Sequence, residues 1–95
     1  MKHYIVLANW TDQGIRTVRQ SPERLDAFKA LCEKHGAKVR NFHMTMGEHD
    51  MVLHIDAPDD ETMARIALGV AQGGNIRSTT LPAFDEAAYR QLTAG

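Results

Sequence analysis

Residues 45–56 read Thr-Met-Gly-Glu-His-Asp-Met-Val-Leu-His-Ile-Asp and set two imidazoles, His49 and His54, among carboxylates. Imidazole is the side chain whose charge changes near neutral pH, so each is a candidate general base. His49 and Asp50 are adjacent, however, and neighbouring side chains on extended backbone point apart. They serve as a base and its orienting carboxylate only in a sharply bent loop. The plainer reading is a turn, with Gly47 free to take positive φ and Asp50 bonding to nearby backbone. His54 is the stronger candidate catalytic residue. It alternates with Val52 and Asp56 along one strand face, where it would either act on a substrate or bond across a subunit interface. His43 shares period-two spacing with Asn41 and Thr45 and lines the same cavity if that face is uncovered. A metal site needs three or four convergent ligands, and His3, His43 and His54 fall on three separate strands. Spacing therefore supplies no metal set, and no cofactor is expected.

Further polar residues gather where the first strand ends, at Asn9, Trp10, Thr11 and Asp12. Asp12 with Gln13 and Gly14 reads as an Asx-type turn rather than a catalytic acid. Arg16 and Arg77 carry the planar fork that recognises carboxylates, although solvated surface is the simpler reading for each. The candidate ligand-binding set is Tyr4, Asn9, Trp10, His43 and His54. There is no phosphate-cradling glycine loop, no nucleotide motif and no Ser-His-Asp arrangement.

These residues must be held by a small scaffold. Ninety-five residues make one domain, spanning 1–95, with a thin core, since a chain this short buries only about 65% of its unfolded surface. With 43% apolar and 24% charged residues the composition is that of a folded globular chain. A net charge of -1 with scattered basic residues gives no footprint for nucleic acid. The lone Cys32 falls on the apolar side of a helical pattern and reads as a core residue. No stretch approaches the length of a membrane span and no signal peptide is visible, so a cytoplasmic, bacterial protein is expected.

Tyr4 to Ala8 is a short apolar run, ended by the turn-forming Thr11-Asp12-Gln13-Gly14 cluster. Ser21-Pro22-Glu23 supplies a helix start, with Ser21 as N-cap, and Leu25, Phe28, Leu31 and Cys32 share one face before Gly36 stops the helix. Period-two patterns over 38–46 and 51–56 flank the Gly47–Asp50 loop and predict a hairpin. Ala57-Pro58-Asp59-Asp60-Glu61 opens a second helix, with Met63, Ile66, Ala67 and Val70 as its buried stripe and Gly73-Gly74 at its end. A last strand spans 76–84, and Asp85 caps a short terminal helix carrying Tyr89 and Leu92. The order strand, helix, strand, strand, helix, strand is that of an α+β, ferredoxin-like fold: a four-stranded antiparallel sheet with two helices on one face. Right-handed crossovers place the first and third strands at the centre.

The other face is left uncovered. The first strand is apolar on both sides, which signals burial on both, whereas helices cover only one. With Met51, Leu53 and Ile55 assigned to the helices, Val52 and His54 share the uncovered side with Tyr4, Val6, Ala8 and Trp10. Burying about 400 Å² of apolar area there contributes on the order of 10 kcal/mol per subunit before the costs of association. A second copy packed sheet to sheet is therefore expected, with room for a small apolar ligand between the sheets and with larger oligomers as a further outcome.

Tyr4-Ile-Val-Leu-Ala-Asn-Trp-Thr-Asp-Gln-Gly-Ile-Arg16, Thr45-Met-Gly-Glu-His-Asp-Met51, Ala57-Pro-Asp-Asp60 and Asn75-Ile-Arg-Ser-Thr-Thr-Leu81 together resemble the GYD-domain family of small bacterial proteins. The resemblance spans nearly the whole chain and implies a dimeric α/β-barrel form of the ferredoxin-like fold. The family's Gly-Glu-Tyr-Asp motif stands here as Gly47-Glu48-His49-Asp50, so no role that needs a phenol at 49 carries over. Dimeric α/β-barrel proteins include cofactor-independent monooxygenases, haem-degrading enzymes, isomerases and effector-binding domains, and fold alone chooses none of them. Three functions stay open: a homodimeric small-molecule-binding or accessory protein, a cofactor-independent enzyme using His54 on an aromatic or carbonyl substrate, and a purely structural subunit that associates into larger rings.

Overall fold

The computed structural model describes all 95 residues, Met1–Gly95. The strands are β1 (Lys2–Trp10), β2 (Lys38–Met44), β3 (Met51–Ala57) and β4 (Ile76–Ala83). The helices are α1 (Asp12–Arg16), α2 (Ser21–Lys34), α3 (Asp60–Gln72) and α4 (Glu86–Thr93), and a 3-10 turn spans Val18–Gln20. The sheet order is β2-β3-β1-β4 with every pair antiparallel. β1 and β3 thus form the centre, as the crossover rule requires, and α2 and α3 lie against one face in a ferredoxin-like α+β arrangement.

The helix boundaries follow local chemistry. Asp59 caps α3 by accepting from the Thr62 amide at 2.8 Å, and Asp85 caps α4 through the Ala88 amide at 2.8 Å, so each meets one of the amides a helix start leaves unpaired. Gly36, at φ 75°, turns the chain out of α2 in the left-handed region where a side chain is strained. Two expectations need correction. Ser21 is not the cap of α2 but its first residue, and its hydroxyl accepts from Trp10 Nε1 at 3.2 Å. The Thr11–Gly14 segment is not an Asx turn; Thr11 Oγ1 accepts from the Gly14 amide at 3.0 Å and starts the short α1.

A larger correction concerns β1. Opposed residues of an antiparallel pair share a face, and the register sets Tyr4 against Ile55, Val6 against Leu53 and Ala8 against Met51. Tyr4, Val6 and Ala8 therefore lie on the helix side, buried in the core with Cys32, Met63 and Ile66. Trp10 packs against the edge of the same core. The uncovered face instead carries Ile5 and Leu7, opposite His54 and Val52, with Thr79 and Leu81 beside them on β4. Since β1 is apolar on both sides, its own pattern holds no information about which side turns inward.

Only 13 residues are buried, and the chain is a slab 49 × 31 × 17 Å. Its radius of gyration is 14.1 Å, where a compact chain of this length has about 12.4 Å. Its accessible surface is 6667 Å², against about 5,500 Å² for a typical monomer of this mass.

Candidate functional site

One end of the uncovered face holds a charged cluster centred on Asp56. His54 and Asp56 are two residues apart on β3 and share its outer face, and the β1 register brings His3 directly opposite Asp56. On the other side the β2–β3 register shifts between Val39 and Asn41, and this irregularity leaves Arg40 as the extra residue, free to reach Asp56. His3 Nδ1 lies 2.6 Å from Asp56 Oδ1, and Arg40 Nε donates to Asp56 Oδ2 at 2.5 Å. His54 Nε2 lies 3.2 Å from Asp56 Oδ1, while His3 Nε2 reaches Asp85 Oδ2 at 3.4 Å. The two imidazole rings meet edge to face with centroids 5.4 Å apart.

The Asp56 side chain is only 4% exposed in a single chain. Burial pushes its pKa up, but the hydrogen bonds and charges of Arg40 and His3 outweigh that and hold it below its ordinary value. A charged carboxylate is thus stabilised beside two imidazoles that are each partly open to solvent. Such a cluster can orient an imidazole as a proton acceptor, hold a cation or supply polar contacts across an interface.

Of the five candidate ligand-binding residues, only His54 joins this cluster. His43 lies on the same face, one pair along at Val52, and is exposed. Tyr4 is on the other side of the sheet, with its hydroxyl donating to Asp60 Oδ1. Burial, and then that bond, raise its pKa to about 12, so it is a fixed donor at neutral pH. Asn9 and Trp10 secure the hairpin loop. The Asp50 amide donates to Asn9 Oδ1 at 2.9 Å, and Asp50 Oδ2 accepts from the Trp10 amide at 3.0 Å. His49 contributes its carbonyl to Thr45 Oγ1 at 2.6 Å, in keeping with a turn position, and Gly47 sits at φ 111°. The sequence reading missed His3, Arg40 and Asp56 as partners of His54. The His-X-Asp spacing on one strand was a readable signal; the other two residues needed the register and the bulge.

A second feature lies on the helix side, between the sheet and α2 and α3. It is an apolar cavity of about 290 Å³, walled by Val6, Leu25, Phe28, Leu53 and Val70 among others. This cavity under the helices offers space for an apolar ligand within a single chain.

Comparisons with known proteins show the family and the fold. The profile of the GYD domain matches residues 4–93. A protein of Thermus thermophilus, named "Glutamine synthetase and cystathionine beta-lyase binding protein", is 33% identical over 85 residues, which cover 88% of this chain and 90% of that one. Among solved structures, MtbAldR matches with a TM-score of 0.69 at 14% identity over 90% of this chain. This chain spans about half of MtbAldR, 52% of its length. FFRP-DM1 matches with a TM-score of 0.63 at 14% identity, over 88% of this chain and 100% of its own. At that identity these two structures speak to the fold alone, which they share. No helix is long and apolar enough to cross a membrane.

Proposed function

The chain belongs to the GYD-domain family, and from that premise we propose that it is a homodimeric accessory protein that binds metabolic enzymes in the cytoplasm. The observation that carries the dimer is the incomplete slab. Its excess surface of roughly 1,200 Å² over a typical monomer is comparable to the 800 Å² or so that each partner contributes to a specific interface. Ile5, Leu7 and Val52 at the centre of the uncovered face are half-buried already, and Leu81 beside them is exposed. A second sheet packed on them removes apolar area that water now touches.

The name of the Thermus thermophilus relative supports the accessory reading, because its partners are enzymes. Phe84, Tyr89 and Leu92, at and along α4, are more than 60% exposed and give the dimer an apolar and aromatic surface for such a partner. The helix-side cavity, at the small end of the range for ligand pockets, offers room for a modest apolar ligand that tunes this binding. The test is to mix the purified chain with glutamine synthetase and, separately, cystathionine beta-lyase from the same organism and follow both by sedimentation velocity. Co-migration with either enzyme, weakened by Tyr89→Ala, is the expected result; independent sedimentation with both contradicts the reading.

A second reading rests on the cluster itself, where a carboxylate orients two imidazoles as in general-base catalysis. That enzyme would use His54 on a small aromatic or carbonyl substrate. It gains if His54→Ala abolishes a measured turnover while dimer mass and melting temperature stay constant, and loses if the substitution chiefly weakens the dimer.

A further inference from the structure

We propose that His3, His54 and Asp56 form a binding site for a divalent transition-metal ion on the uncovered face of the sheet. His3 Nδ1, His54 Nε2 and Asp56 Oδ1 converge there, with separations of 2.6, 3.2 and 3.4 Å. Ligand atoms about 2.0–2.2 Å from a tetrahedral ion lie roughly 3.3 Å from one another. The triangle therefore has nearly the size of one face of a coordination tetrahedron. Its short edge is the His3–Asp56 hydrogen bond, in which a cation takes the place of the proton and moves the two atoms slightly apart.

The surrounding groups fit the same role. A ligating imidazole ordinarily donates its other N–H to a carboxylate, and a ligating carboxylate is itself hydrogen-bonded. His3 Nε2 faces Asp85 Oδ2 at 3.4 Å, and Asp56 Oδ2 is held by Arg40 at 2.5 Å. Two carboxylates and one guanidinium leave one net negative charge to meet the cation when the imidazoles are neutral. Two imidazoles with one carboxylate suit zinc, cobalt or ferrous iron, whereas magnesium and calcium take oxygen ligands. Three protein ligands leave a fourth position for water or a small molecule, the pattern of an exchangeable ion. All three ligands come from one chain, so the site does not require the dimer.

The competing account is a metal-free hydrogen-bonded cluster, and titration separates the two. Full-length protein, stripped with a chelator and titrated with Co²⁺ at neutral pH, is expected to show saturable visible absorption of a low-coordinate cobalt site at one ion per chain, displaced by Zn²⁺. His54→Ala should abolish it, and Asp85→Asn should weaken it about 10–100-fold. His43→Ala, on the same face but outside the cluster, should leave it unchanged. Should His54→Ala fail to fold, His54→Gln keeps a polar side chain of similar reach and gives the same readout. Absence of saturable Co²⁺ binding in the unsubstituted chain, or equal losses in the His43 and His54 variants, overturns the proposal.

Discussion

Asp56 is where sequence and environment disagree most, a carboxylate buried on the side of the sheet that no helix covers. Its ionised form survives because the hydrogen bonds and charges of Arg40 and His3 outweigh its burial, and its pKa is held below the ordinary 3.8. A depressed folded pKa means stabilisation that is present above the unfolded value and lost as pH falls through the folded one. Asp56→Asn should therefore cost about 1–3 kcal/mol at neutral pH, and the gap between variant and parent should close on acidification below about pH 4. Urea denaturation at a series of pH values checks this; a gap that stays constant down to strong acid contradicts it. The place of His54 beside Asp56 was legible because strand alternation alone puts the two on one face. His3 and Arg40 were not, since one depends on which residue of β1 faces β3 and the other on a bulge no local pattern announces.

Among the elements, β1 shows what periodicity can and cannot tell. A run such as Tyr4-Ile-Val-Leu-Ala8 declares a strand buried on both faces but not which face is which. The structure turns Val6 toward the helices and Leu7 away from them. Val6→Glu should then prevent folding, because it buries an unpaired charge in the core, while Leu7→Glu should leave a folded chain with the same circular dichroism. The opposite outcome would restore the reversed assignment. The short α1 escaped the sequence reading for a different reason. Its five residues have no apolar periodicity and are held by tertiary contact, Thr11 Oγ1 donating to the Gly74 carbonyl at 2.6 Å. Gly14 is pressed so closely on β4's approach that a Cβ there would sit 2.1 Å from the Asn75 carbonyl oxygen. Gly14→Ala is expected to lower stability by about 1–3 kcal/mol through that overlap, read as a drop in melting temperature; an unchanged melting temperature would show that the junction yields freely. Strands, both long helices and the α4 cap were readable because caps, glycine stops and alternation are local signals.

For the molecule as a whole, a sheet covered on one face only makes a slab, and the slab has more surface than a chain of its mass ordinarily keeps. In the proposed sheet-to-sheet dimer the Asp56 cluster would lie on the covered face, while Phe84, Tyr89 and Leu92, exposed in the single chain, would be open to a partner. The proposed accessory role rests on that assembly, since a lone subunit would present wet apolar strands instead of a finished surface. Sedimentation equilibrium of the unsubstituted chain at micromolar concentration tests this most directly. At least twice the chain mass of 10.6 kDa is predicted, falling to the single mass in Leu7→Glu. A stable species of 10.6 kDa for the unsubstituted chain would contradict it.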